Sequence, residues 1–177
     1  MRLIEASENL RMRRRAIDVI LDTHILFDWV VFRNPAIAEL QRGVECGALR
    51  WLGTADMLAE ARHVVERGAL ARWQPDVRAL EEVWRQWVVQ LDAPGAALAG
   101  LRCRDPNDQM FIDLAALHRP RWLLSRDRAV LALRRPLSRL GVAVLTPEAW
   151  ARGWPAELAA PAGGACLTTG GCDLPEA

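Results

Sequence analysis

Four acidic residues, spread over more than half of the chain, are placed where their carboxylates could act together: Asp22, Glu60, Asp108 and Asp127. Held close together, such carboxylates repel one another and raise one another's pKa values unless a cation compensates them. Mg²⁺ prefers oxygen ligands and keeps several of its waters, so a few carboxylates suffice to bind it. A metal bound in this way can activate a water molecule and stabilise charge on a phosphoryl group under attack. Clustering of the four acids would therefore supply metal-assisted hydrolysis.

Each acid also has a simpler interpretation within a single helix. Asp105, which begins the run DPNDQMFIDLA, suits the N-cap of a helix, and Asp108 falls in its first turn, where the helix dipole favours a carboxylate. Asp22 and Asp127 could also be helix caps, and Glu60 could be a solvated helix residue. The acids alone leave both interpretations open, so the elements that carry them must be considered.

Apolar runs and helical periodicities alternate along the chain. The predicted strands are 16–21, 49–52, 88–91, 122–125 and 142–145, and the predicted helices follow Asp22-Thr23 or cover 35–43, 55–67, 75–87, 106–118, 127–133 and 147–153. Such alternation predicts an α/β domain, in which helices sandwich a central parallel sheet and the crossovers are right-handed.

The predicted elements bring the four acids towards one edge of this sheet. Asp22 follows the first strand directly, and Asp127 lies two residues past the fourth. Asp108 lies near the start of the helix that leads into the fourth strand, and Glu60 lies in the helix after the second strand. Ligands bind open parallel sheets outside the carboxyl ends of the strands. This common location favours a shared site over four independent caps.

Composition indicates one soluble domain and excludes two classes of phosphate chemistry. The chain has 177 residues, of which 51% are hydrophobic, and a formal net charge of +1, so any contact with nucleic acid must be local. All 23 basic residues are arginine. The absence of lysine excludes a P-loop, which needs a Gly-Lys-Ser/Thr sequence. It also argues against phosphoaspartate enzymes and receiver domains, which generally rely on a lysine.

Neither the cysteines nor the tryptophans predict a separate site. The four cysteines form no C-x-x-C pair and have no histidine at zinc spacing, so we predict neither a structural zinc site nor a disulfide framework. The eight tryptophans are predicted to be core residues rather than platforms for stacked bases, because most occupy apolar positions in strands and on helix faces.

The two ends of the chain differ from its centre. Residues 1–15 form an arginine-rich extension that could be a phosphate-binding arm or a solvated leader, and residues 16–154 form the predicted domain. Residues 155–177, rich in Ala, Gly and Pro without periodicity, are predicted to be a disordered tail. No apolar run is long enough to span a bilayer, so we expect a cytoplasmic protein with no membrane association.

Five segments, in this order, resemble the PIN domain: VILDTHILFDWV, MLAEARHVV, CRDPNDQMFIDLA, WLLSRD and GVAVLTPEAW. The resemblance covers residues 16–154 and is closest to the branch of toxins from toxin–antitoxin pairs. It implies a single PIN-like domain with a parallel sheet between helices, and metal-dependent cleavage of RNA by a cluster of acids.

The resemblance carries the catalytic acids onto Asp22, Glu60, Asp108 and Asp127. Asp22, Asp108 and Asp127 would hold Mg²⁺, or Mn²⁺ as its substitute. Glu60 would bind a second ion or orient the attacking water, and the number of ions stays open.

Three further residues would support the acids: Thr23, Asp105 and Ser125. Asp105 would cap its helix or act behind the metal ligands, and the hydroxyl of Ser125 would orient the acid that follows it. The sequence departs from the family at two positions, because His24 stands where asparagine is usual and Ser125 where threonine is more common. The role of His24 is left open.

The resemblance thus implies an endoribonuclease that hydrolyses single-stranded RNA, as the toxin component of a type II toxin–antitoxin pair. The expected partners are an RNA substrate and a cognate antitoxin protein, with a homodimer left open. The alternative is a PIN-like module that binds RNA or protein without cutting.

Overall fold

The structure, a computed structural model, describes residues 16–95 and 100–153. The predicted arginine-rich extension (residues 1–15) and the predicted tail (residues 155–177) lie outside these ranges, so both stay predictions. The remainder forms one α/β unit.

Five parallel strands form a single sheet with the order β3-β2-β1-β4-β5. The strands are β1 Ile17–Leu21, β2 Leu49–Thr54, β3 Val88–Leu91, β4 Trp122–Leu124 and β5 Ala143–Leu145. The central strand β1 pairs with β2 on one side and with β4 on the other. Val19 and Ile20 of β1 are fully buried, as expected for a strand covered on both faces.

Eight α-helices flank the sheet within the described residues. They are α1 Thr23–Val30, α2 Ala38–Glu45, α3 Ala55–Glu66, α4 Val77–Trp87, α5 Gln109–His118, α6 Arg128–Ala132, α7 Arg134–Ser138 and α8 Pro147–Gly153. Short 3-10 turns cover Pro35–Ile37, Ala71–Trp73 and Pro106–Asp108. None of the described helices is long and apolar enough to cross a membrane. The predicted architecture of a parallel sheet between helices is confirmed.

A close contact at Gly53 sets α4 against the end of β2. A Cβ atom at this position would lie 2.6 Å from the ring of Trp84 and 2.9 Å from the side chain of Val88. Distances this short exclude any larger residue without movement of the helix. The tryptophan ring also meets Trp51 of β2 edge-on, with 5.8 Å between ring centroids. Glycine therefore allows α4 to cover the strand immediately before Thr54.

The structure corrects several predicted boundaries. The predicted helix 127–133 begins one residue later, with Asp127 as its cap, and is followed by the separate helix α7. The predicted helices 35–43 and 106–118 each begin with a 3-10 turn whose first residue is proline, a position at which the missing amide donor costs nothing. The prediction of a buried core position is wrong for Trp73. That ring is 41% exposed, and it packs beneath the guanidinium of Arg72.

Candidate active site

The strand order creates a crevice at the carboxyl ends of β1 and β4. From β1 the chain passes to β2 on one side, and from β3 it crosses back to β4 on the other side. Strands at such a switch point diverge in their connections, which leaves room for a ligand. Asp22 directly follows β1, and Ser125 directly follows β4.

Asp22 is held rigidly although it is an acid with an exposed fraction of only 1%. One of its oxygens, Oδ1, accepts a hydrogen bond of 2.8 Å from the backbone amide of His24, so Asp22 is the N-cap of α1. His24 Nδ1 lies 3.2 Å from the same oxygen, and Oδ2 accepts a hydrogen bond from the hydroxyl of Ser125. Asp22 is therefore a helix cap whose second oxygen reaches across to β4.

Ser125 connects Asp22 to Asp127. Its fully buried hydroxyl donates to Asp22 and accepts from the backbone amide of Asp127, at 2.9 Å. Asp127 in turn caps α6, since its Oδ1 accepts from the amide of Ala129 at 2.6 Å. One hydroxyl thus fixes the spacing between the first acid and the last.

Asp108 lies at the junction of the 3-10 turn and α5, and its environment differs from that of Asp105. Asp105 is exposed and caps the turn by accepting from the amide of Asn107 at 2.9 Å. Asp108 has a buried oxygen, Oδ2, with no hydrogen-bond partner among the described residues. Burial, followed by the charges of Asp22 and Asp127, raises the pKa of Asp108 to about 7. Its carboxylate therefore faces the other two acids.

His24, at the rim of the crevice, has a pKa that depends on the same three acids. Its hydrogen bond with Asp22 raises its pKa, while burial opposes the shift, and the charges of Asp22, Asp108 and Asp127 add to it. The side chain is 66% exposed. A protonated imidazole at this position would partly neutralise the three acids.

Glu60 differs from the other three acids in being paired with an arginine. Its Oε1 lies 3.7 Å from a guanidinium nitrogen of Arg67, which follows α3. Glu60 is not among the groups that shift the pKa of Asp108 or of His24. The structure thus brings together three of the four predicted acids and leaves the fourth in an ion pair.

The three carboxylates fit a divalent cation that retains much of its water. The unpartnered oxygen of Asp108 and the mutual repulsion of Asp22, Asp108 and Asp127 are features that a cation would relieve. They are not packed at coordinating distances, since in residues 16–95 and 100–153 no three Asp, Glu, His or Cys side chains form a cluster that is ready to hold a metal.

A comparison with known protein families finds a match that covers the three converging acids. A profile of the PIN domain matches residues 18–129, which is more than half of the chain and includes all four predicted acids. The chain belongs to the PIN domain family. PIN domains are generally nucleases, typically use divalent metals and act on nucleic acid. A comparison with curated protein sequences finds no match.

Two threonines at the same edge of this PIN domain have buried hydroxyls. Thr23 begins α1, and Thr54 ends β2, where the register Ile20 to Leu52 continues towards Asp22. Neither hydroxyl has a hydrogen-bond partner among the described residues. Thr54 also stands at the N-cap of α3, but its side chain makes no capping hydrogen bond. These hydroxyls are polar atoms that a bound ligand or its waters could satisfy.

Arg126 organises the loop between β4 and α6, a role that the sequence did not reveal. The guanidinium pairs with Asp28 of α1 and with Glu148 of α8, the latter at 2.5 Å. Asp28 is buried, and its carboxylate also accepts a hydrogen bond of 2.9 Å from the side-chain amide of Asn34. An acid inside the apolar helix sequence THILFDWV was the one available signal, because a buried carboxylate needs a partner.

Gln109 fixes the loop that precedes Asp108. Its side-chain oxygen accepts from the amide of Cys103 at 2.7 Å, and its nitrogen donates to the carbonyl of Leu101 at 2.9 Å. The same nitrogen donates to Asp113 one turn along α5, at 2.8 Å. The residue after Asp108 therefore ties the loop to the helix and limits the movement of the acid.

Proposed function

We propose that this PIN domain is a metal-dependent endoribonuclease that cleaves single-stranded RNA, and that it is the toxin of a type II toxin–antitoxin pair. The observation that carries the nuclease proposal is the convergence of Asp22, Asp108 and Asp127 at the switch point, with one oxygen of Asp108 buried and unpartnered. The toxin and antitoxin roles, and activity in the cytoplasm, rest on the sequence resemblance alone.

Asp22, Asp108 and Asp127 would hold Mg²⁺, or Mn²⁺ in its place. When bound, the ion supplies an activated water and stabilises charge on the phosphoryl group. Ser125 keeps Asp22 and Asp127 at a fixed spacing, and the two capping interactions keep both acids at the helix N-termini. We assign Glu60 to the same reaction through the resemblance, which requires its release from Arg67.

The nuclease proposal is tested by Asp108→Asn, with Asp76→Asn at the N-cap of α4 as the matched control. Asparagine remains a good N-cap, so the control should retain fold and activity. We expect Asp108→Asn to reduce Mn²⁺-dependent cleavage of a labelled single-stranded RNA by about a hundredfold or more, because it removes a carboxylate from the metal site. Equal cleavage by the two variants, measured by gel electrophoresis with and without chelator, would contradict the proposed site.

The toxin role is tested in cells with the same pair of variants. Expression of the wild-type chain or of Asp76→Asn should slow bacterial growth, and Asp108→Asn should be harmless at equal soluble abundance. Growth inhibition by all three forms would reject toxicity through nuclease activity.

The ion pair between Glu60 and Arg67 favours a second candidate, a PIN domain that binds RNA without cutting it. The two functions differ in their response to Arg67→Gln, which frees the carboxylate. A nuclease should keep or gain activity, whereas a binding module should show no metal-dependent cleavage in either form.

A further inference from the structure

A cavity lined by arginines lies beside the candidate active site. It has a volume of about 480 Å³ and is lined by Arg128, Leu131, Ala132, Arg134 and Arg135, which belong to α6, α7 and their junction. Arg128 immediately follows Asp127, so the cavity begins one residue from an acid of the site. The break between α6 and α7, which the sequence did not predict, turns the three guanidinium-bearing residues towards one concavity.

These three arginines share one cavity and have no carboxylate partner among the described residues. In the described part of the chain, ion pairs engage Arg42, Arg50, Arg62, Arg67, Arg85 and Arg126. No described acid lies within ion-pair distance of Arg128, Arg134 or Arg135, and residues 128–147 contain four arginines and no acid. The charge of the chain is thus almost balanced overall, but not at this cavity. Like charges held together without a counter-ion repel one another, and an anion would relieve that repulsion.

The residue type and position favour phosphate as the anion. Guanidinium groups match phosphate oxygens with paired, planar donors, and arginine predominates where phosphate is recognised. Leu131 and Ala132 line the same cavity, and the three arginines are exposed, so their charged ends are accessible to an anion from solvent. Because Arg128 adjoins Asp127 in the chain, this cavity could receive a phosphate next to the one held at the three acids.

We propose that the arginine cavity, defined by Arg128, Arg134 and Arg135, binds the phosphate backbone of single-stranded RNA next to the scissile bond. The proposal rests on the proposed function, because it takes its substrate class from the nuclease site. The RNA backbone would be bound by arginines of α6 and α7. Arg126 in the preceding loop is left out of the proposed site because it forms ion pairs with Asp28 and Glu148.

The test measures binding without cleavage. All proteins carry Asp108→Asn and are kept in chelator, and binding of a fluorescent single-stranded RNA is followed by anisotropy over a range of salt concentrations. The variant is Arg134→Gln/Arg135→Gln. The control is Arg42→Gln/Arg85→Gln, which removes the same net charge from exposed arginines that pair with glutamates on their own helices.

We expect the cavity variant to weaken binding by about tenfold, and the control by about threefold at most, because two phosphate contacts are lost in the first case and only net charge in the second. The slope of log affinity against log salt should fall by about 1.4 for the cavity variant, since each phosphate contact on a single strand contributes about 0.7. Equal weakening or equal slopes in the two proteins would overturn the proposal.

A competitor distinguishes RNA from a protein partner. A polyglutamate peptide with the charge of the RNA should compete weakly, because its carboxylates are not spaced like backbone phosphates. Competition equal to that of unlabelled RNA, with the same dependence on Arg134 and Arg135, would assign the cavity to an acidic protein segment and overturn the proposal.

Cleavage by the chain without Asp108→Asn separates this proposal from the proposed function. If the wild type cuts RNA and Arg134→Gln/Arg135→Gln raises KM with little change in kcat, both proposals hold. If the wild type does not cut but binding still depends on the cavity, the cavity stands and the nuclease assignment fails. If the wild type cuts and the cavity variant has an unchanged KM, only the cavity proposal fails.

Discussion

Asp22 and Asp108 face the same edge of the sheet, but the protein satisfies one carboxylate and leaves the other exposed to repulsion. Asp22 is almost completely buried, and its oxygens meet the amide and imidazole of His24 and the hydroxyl of Ser125. Asp108 is less buried, yet its Oδ2 has no hydrogen-bond partner among the described residues, and its pKa is raised to about 7.

The carboxylate of Asp22 is stabilised by the fold itself, whereas the carboxylate of Asp108 requires a ligand to stabilise it. Asp22 contributes to folding as a cap and as the connection between β1 and β4, so its removal should damage the protein itself. Asp108 opposes folding when no cation is present, so its removal should damage only the response to metal. Three predictions test this contrast, from the largest expected effect to the smallest.

The largest effect is expected for Asp22→Ala. The substitution leaves the buried Ser125 hydroxyl and the His24 amide without their acceptor, and hydrogen bonds to a charged group contribute roughly 1.5 to 3 kcal/mol each. We expect the free energy of unfolding to fall by about 3 kcal/mol or more, which corresponds to a melting temperature lower by about 6 to 12 °C. Urea and thermal unfolding measure it. A variant as stable as the wild type would show that the network contributes little to folding.

The second effect is the response of stability to Mn²⁺. At about a hundredfold excess over its dissociation constant, a ligand that binds only the folded chain adds roughly 2.7 kcal/mol to stability. The melting temperature of the wild type should therefore rise by about 5 to 10 °C, and that of Asp108→Asn far less. Asp76→Asn, at the N-cap of α4, is the control and should shift like the wild type. Equal shifts in all three proteins would place the metal away from Asp108.

The smallest effect is expected for the pH dependence of the metal-free protein, because Asp108 is partly exposed and solvent screens the repulsion that raises its pKa. Because the pKa of Asp108 is raised from 3.8 to about 7, the folded chain holds this proton more tightly than the unfolded chain does. The free energy of unfolding in chelator should then fall as pH rises from about 4 to about 7, and change no further from this cause above that range. Asp108→Asn should lack this component and should be at least as stable as the wild type at neutral pH. A mutant less stable than the wild type at neutral pH would mean that Asp108 serves mainly its helix.

The sequence predicted the architecture because local patterns report burial. Apolar runs ended by Asp22 and by Ser125 mark strands that are covered on both faces, and their alternation with helices permits few topologies other than a parallel sheet. Once the strands are parallel, residues after different strands must share an edge. From this rule the sequence alone predicts that Asp22 and Asp127 lie at the same edge of the sheet. Their assignment as catalytic ligands stays a prediction.

Only the tertiary structure decided which charged groups pair and which do not. Asp28 and Arg126 are 98 residues apart and meet because α1 and the loop after β4 converge, and no periodicity encodes that contact. Glu60, predicted beside the other acids, pairs with Arg67 at the end of the same helical segment, and its role in the site stays a prediction. A pattern of residue types fixes which face of an element is buried, but the direction and reach of a long side chain depend on neighbours from distant parts of the chain. Folding alone therefore leaves Arg126 in ion pairs and Arg128 without one.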